Sequence, residues 1–208
     1  DVMNALLLTG AVISLYGNSR PISGAEHHMS HYWETILEQR GIRPAMHGEQ
    51  VAVGTVLVLM LIEELLKENI DFDAARESAR AYDAAAWERE IRAHYGAAAD
   101  EVIALEQKAG KNDIEGRLAR IDSMQRSWDA VRAQLETLPE SSSVRALLRD
   151  IGCPCTPSDI GVDDELLMDT FRYCKEIRAR YTVFQTVYDL GLTDKLAARV
   201  IEKANSTD

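Results

Sequence analysis

The 208-residue chain is short of most features that assign a protein quickly. It has three cysteines, Cys153, Cys155 and Cys174, an odd and small number that argues against a secreted disulfide scaffold and makes a reducing cytoplasm the expected compartment. Basic residues are outnumbered: 23 Lys and Arg against 34 Asp and Glu give a formal net charge of -11. That balance argues against a nucleic-acid partner, whose backbone needs a basic face, and against an anionic membrane surface. Glycine (12) and proline (5) are sparse, and neither a low-complexity tract nor an internal repeat is visible. No alternating β-branched run is bounded by turns, which speaks against a sheet. No glycine-rich phosphate loop follows a strand, so no dinucleotide site is expected within these residues. The longest apolar run, Val51 to Ile62, is too short for a membrane span and is closed by Glu63 and Glu64. A buried core helix is expected there and no membrane insertion. No signal peptide is expected, since no basic stretch precedes the apolar start.

What is present is helical periodicity from end to end. "DVMNALLLTGAVISLYG" reads as a helix with Gly17 as its stop. It opens at Asp1 as though already in progress, so a piece of a longer protein is expected. "NSRPISG" is a loop, after which Ser23 or Gly24 caps a helix to about Gln39. A long apolar helix is expected over 48–69, an exposed amphipathic one over 71–96, and others over 98–108, 112–139 and 141–152. A long helix with acids in its first turn is expected over 163–190, and a last one from Thr193. The fold class is therefore all-α, a helical bundle with residues 1–208 as one domain.

The chemistry concentrates in "SGAEHHMSHYWE", Ser23 to Glu34, which holds three of the five histidines. His27 and His31 are four apart and share a helix face, with Cβ atoms ~5–6 Å apart. Two imidazoles so placed can chelate one metal, or one can bind metal while the other points at substrate. His47 opens the next helix, so two ring nitrogens from one helix and one from the next make a possible metal shell. The plainer account is surface or capping histidines. His28 is three from His31 and could share its face instead, but adjacent helical residues point about 100° apart, so His27 and His28 do not easily serve one metal. His94 lies near a helix C-terminus, where its charge suits the dipole, and is expected to be structural. Cys153 and Cys155, with one residue between them, are too close for the usual zinc knuckle and lack a second pair; they too are expected to be structural. Arg20 sits in a loop feeding a helix N-terminus, a place that suits an anion.

"SRPISGAEHHMSHYWE" followed by "HGEQVAVGT" resembles the helical domain of bacterial glycerol-1-phosphate dehydrogenases, within the iron-containing alcohol dehydrogenase and dehydroquinate synthase superfamily. The specific match covers Ser19 to Thr55, and "IGCPCTPSDIGV" resembles a loop in that family's C-terminal half. The resemblance implies two domains: an N-terminal one binding NAD or NADP, absent from this chain, and a C-terminal helical one, present here. It implies a divalent metal (zinc, nickel or iron) held by one aspartate and two histidines. By that resemblance His27 and His47 are the metal ligands, His31 contacts substrate and acts in catalysis, and Arg20 is the candidate for the substrate phosphate. The implied reaction interconverts dihydroxyacetone phosphate and sn-glycerol 1-phosphate, a small-molecule phosphate substrate, and a homodimer is the assembly it suggests. Two departures stand out. His47 follows His27 by 47 − 27 = 20 residues, through a longer loop than in archaeal relatives, and the expected aspartate would lie upstream of Asp1. Without that charge, the chain alone is expected to be inactive and to hold metal weakly. A related polyol dehydrogenase, a dehydroquinate synthase-like enzyme, or a non-catalytic helical binding module are the alternatives.

Overall fold

The structure, a computed structural model, describes residues 1–19 and 22–206, and among them it contains helices and turns with no strand. Helix α1 (Val2–Tyr16) ends where expected, at Gly17, whose φ of 80° is the left-handed conformation that glycine adopts without a Cβ penalty. Helices α2 (Ala25–Gln39) and α3 (His47–Leu66) follow. They run antiparallel: Ser30 of α2 meets His47 and Gln50 of α3, while Glu26 meets Gly54. At Gly54 a Cβ would stand 3.1 Å from the Glu26 carbonyl oxygen, so glycine sets how closely the two helices approach.

Helix α3 is the buried apolar helix expected from the Val51–Ile62 run, with Val53, Leu57, Leu61 and Leu65 at 1% exposure or less. Around the α2–α3 pair lie α4 (Phe72–Arg80), α5 (Ala84–Tyr95), α6 (Ala99–Ala109), α7 (Ile114–Leu135), α8 (Ser141–Asp150), α9 (Asp164–Tyr173), α10 (Val183–Asp189) and α11 (Thr193–Asn205). The core-facing side of α2 is pinned by Trp33, fully buried, whose Nε1–H donates to Thr170 Oγ1 on α9 at 2.8 Å. Burying that indole away from water contributes roughly 1.5–3 kcal/mol or more, and the bond keeps its one donor satisfied.

Two expected helices are each broken. The 71–96 stretch divides at Ala81–Asp83, because the Asp83 carboxylate accepts from the backbone N–H groups of Ala85 and Ala86 and starts α5 afresh. The 163–190 stretch stops at Tyr173, passes through a 3-10 turn at Cys174–Ile177, and resumes as α10 only at Val183. The break is held by a buried charge network. Lys111 Nζ donates to Glu106 Oε1 at 2.9 Å and to the carbonyls of Lys175 and Arg178, while Lys175 bonds Glu176. Trp87 and Asn112 donate to the same Glu176 carboxylate. Carbonyls that a continuing helix would use internally are instead capped by a buried ammonium.

Helix α1 differs from the rest. None of its residues is buried, and Val2, Leu6, Leu7, Leu8 and Leu15 are all exposed. Among the described residues no helix is long and apolar enough to cross a membrane.

Candidate metal centre

The N-terminal half of α2 and the first residue of α3 bring three imidazoles together. Ring centroids are 5.3 Å apart for His27 and His47, 5.4 Å for His31 and His47, and 6.4 Å for His27 and His31. The register explains the meeting: His27 and His31 are one helical turn apart, and the Arg40–Met46 loop returns the chain so that α3 starts alongside the middle of α2. The group is only partly shielded, with side-chain exposures of 22% for His27, 32% for His31 and 46% for His47.

Each ring has a set partner at Nδ1. Glu26 Oε1 lies 2.7 Å from His27 Nδ1 and also accepts from the Gly24 backbone N–H at 2.9 Å, tying the ring to the start of α2. Glu34 spans the other two: Oε2 is 3.0 Å from His31 Nδ1 and Oε1 is 3.0 Å from His47 Nδ1. Ser30 Oγ also lies 3.0 Å from His47 Nδ1, and its hydroxyl donates to Gln50 Oε1 at 3.1 Å. Because that single hydroxyl proton is committed to Gln50, His47 Nδ1 must be the donor toward Ser30 and Glu34. His47 is thus the Nδ1–H tautomer, as is His27 against its carboxylate, and both have Nε2 lone pairs to offer. A carboxylate or hydroxyl behind Nδ1 with Nε2 in front is the arrangement metal-binding histidines use, so the donor set fits a divalent metal on His27 and His47. A cavity of about 290 Å³ adjoins the group, lined by His31, Glu34, Glu38, Glu101, Leu105 and Arg178.

The remaining candidates lie elsewhere. His28 is 1% exposed and sits in the core, where neither ring nitrogen has a partner. Burial first, and then the charges of Lys111, Arg180 and Arg178, push its pKa down from 6.5 to about 3. His94 stacks on Tyr173 at 4.1 Å, with Nδ1 3.3 Å from Asp169 Oδ2, in a helix-end position. Cys153 and Cys155 are free, and the Cys155 N–H donates to Asp159 Oδ2 within a loop turn. Arg20 lies outside the described residues.

Over 190 residues the chain is 25% identical to a curated protein from Geobacillus stearothermophilus named glycerol-1-phosphate dehydrogenase (NAD(P)+), covering 91% of this chain and 38% of that protein. The chain is a homologue of glycerol-1-phosphate dehydrogenases. A relative of the same name from Halalkalibacterium halodurans is 24% identical over 179 residues, 86% of this chain and 35% of that protein. One from Pyrococcus furiosus is 45% identical over 60 residues, 29% of this chain and 16% of that protein. The chain thus spans little more than a third of the length of its bacterial relatives. No protein-family model and no solved structure matches it.

Glu26, Ser30, Glu34 and Gln50 complete the centre without standing out in the sequence. A signal was present for one of them: Glu34 lies three residues after His31, the spacing that places a carboxylate beside an imidazole on one helix face. Ser30 and Gln50 are ordinary polar positions until the α2–α3 register is known.

Proposed function

We propose that this chain is the helical metal- and substrate-binding domain of an NAD(P)-dependent oxidoreductase that interconverts dihydroxyacetone phosphate and sn-glycerol 1-phosphate. The dinucleotide-binding domain then belongs to the part of the relatives that this chain does not span. The observation that carries the reading is the meeting of His27, His31 and His47 in a homologue of enzymes bearing that name.

In this reading His27 and His47 hold a zinc, nickel or iron ion through Nε2. Such an ion, when bound, supplies Lewis-acid polarisation of the substrate ketone. The protein's own residues do the rest. Glu26 and the Ser30–Gln50 pair fix the orientation of the two ligand rings. His31, with Nδ1–H held by Glu34, would carry a second proton on Nε2, give it to the developing alkoxide oxygen and be left as the Nδ1–H imidazole, and in the reverse direction would take that proton back on Nε2. Arg178, on the wall of the adjoining cavity, is a fork of donors for the phosphate, the role that the sequence suggests for Arg20. The chain alone turns nothing over, because no nicotinamide is positioned against the substrate.

The test joins this chain to the part of the Geobacillus stearothermophilus relative outside the matched region and compares substrates. Dihydroxyacetone phosphate should be reduced with NADH or NADPH at a kcat/KM at least ~100-fold above that for dihydroxyacetone, because the lost phosphate would leave its donors unpaired. Equal use of both, or preference for another polyol, would favour a related polyol dehydrogenase.

A further inference from the structure

We propose that this chain carries a second, self-contained cation position on His31, Glu34 and His47, distinct from the His27–His47 pair and needing no residue from outside the chain. It goes beyond the dehydrogenase reading and does not rest on it.

The two edges of the His47 ring face different partners. Its Nε2 edge is the one assigned above to the metal shared with His27. Its Nδ1 edge faces Glu34 Oε1 at 3.0 Å, and the opposite oxygen of that carboxylate faces His31 Nδ1 at 3.0 Å. One carboxylate and two imidazoles therefore converge, and each offers a ligand atom within 4.8 Å of the others. A metal about 2.0–2.2 Å from nitrogen and oxygen donors, at angles between square and tetrahedral, sets those donors roughly 2.9–3.5 Å apart. The observed separations of 3.0 Å are thus both hydrogen-bond lengths and the edges of a coordination polyhedron. A cation entering here replaces the protons shared between Glu34 and the two rings and draws together donor atoms that already lie within 4.8 Å of one another.

Charge favours this position in the chain as it stands. His27 and His47 are two neutral donors, whereas His31, Glu34 and His47 include a carboxylate that offsets stripping water from a divalent ion. Two imidazoles with one carboxylate and open positions suit borderline transition metals over magnesium or calcium, which prefer all-oxygen shells. Side-chain exposures of 32% for His31, 31% for Glu34 and 46% for His47 leave the position open to solvent for entry and for water to complete the shell. Ser30 Oγ, which accepts from His47 Nδ1–H at 3.0 Å, gives up that bond when the ion takes Nδ1, and keeps its own donation to Gln50 Oε1.

The test is titration of the purified 208-residue chain with Co²⁺, read by the visible absorption of the bound ion and by calorimetry, for the wild type and for Glu34→Gln, His31→Ala and His27→Ala. Glu34→Gln keeps size and hydrogen bonding while removing the charge, and circular dichroism of each variant confirms the helical fold. The wild type should bind one Co²⁺. Glu34→Gln and His31→Ala should each weaken binding on the order of 100-fold, at least the loss expected for outer-shell partners, and His27→Ala should change it less than ~5-fold. In ¹⁵N spectra, binding should shift Nδ1 of His31 and His47 rather than Nε2. Binding that survives Glu34→Gln but fails in His27→Ala, with shifts at Nε2, would overturn the proposal and place the ion on the His27–His47 pair. No binding by the correctly folded wild type would overturn it as well.

Discussion

His28 shows how little separates a residue of the histidine cluster from a core residue in this sequence. It stands next to His27, yet the helix turns it inward, where it is 1% exposed with both ring nitrogens unpartnered. Its pKa falls from 6.5 to about 3, so between those values the unfolded chain binds a proton that the folded chain refuses. Stability must therefore drop as pH falls through this window. His28→Leu should be at least as stable as the wild type at pH 7, and should retain on the order of 2 kcal/mol more stability at pH 4, checked by urea unfolding at both values. Parallel losses in the two proteins would show that His28 titrates normally. The contrast among residues also explains what could be read in advance. The meeting of His27, His31 and His47 was legible because imidazoles are rare and a spacing of four puts two of them on one helix face. Glu34, Ser30 and Gln50 are common residue types that acquire a role only through the contact between two helices.

At the scale of the helices, the α2–α3 register positions the centre, and Gly54 sets it. A Cβ there would meet the Glu26 backbone at 3.1 Å, one residue before His27. Gly54→Val should force the helices apart, lower stability by ~1–3 kcal/mol and weaken metal retention. Gly48 lies on the same helix in open space, with nothing within 4 Å of where a Cβ would stand, and should accept alanine with no loss. Thermal unfolding and metal content of the two variants check this, and equal behaviour would contradict it. The same scale holds the main differences between expected and observed elements. Stretches 71–96 and 163–190 are rich in helix formers, and propensity alone runs through them. The break at Asp83 comes from a side-chain cap, and the one at Cys174–Ile177 from a buried network assembled from α5, α6 and the turn between α6 and α7. The long-range partners of that network are not visible in a local window. Within it, burial and then the nearby Glu176 raise the Glu106 pKa from 4.5 to about 8, so the folded state holds a proton there that the unfolded state releases. The wild type should lose stability relative to Glu106→Gln as pH rises from about 5 toward 9. Melting temperatures across that range should diverge in favour of the variant, whereas a constant difference would mean that Glu106 is already charged at low pH.

For the whole molecule, the all-α class was legible because caps, breakers and helical stripes recur along the chain and no strand pattern competes. What composition cannot show is which helices join the body. Helix α1 is as apolar as any other, yet none of its residues is buried and it contributes nothing to the core. Deleting residues 1–17 should leave the melting temperature within a few degrees and the helical body intact, by calorimetry and circular dichroism. A large destabilisation would mean that α1 packs on the body after all. The central claim, that three histidines from α2 and α3 form the reactive centre of an oxidoreductase, is tested most directly by one rate. That rate is NADH-dependent reduction of dihydroxyacetone phosphate by the fusion with the Geobacillus stearothermophilus segment, wild type against His47→Ala, with folding verified for both. The account predicts measurable turnover in the wild type and a loss of at least ~100-fold in the variant, since the ring shared by both sides of the centre is gone. Turnover unchanged by His47→Ala would contradict it.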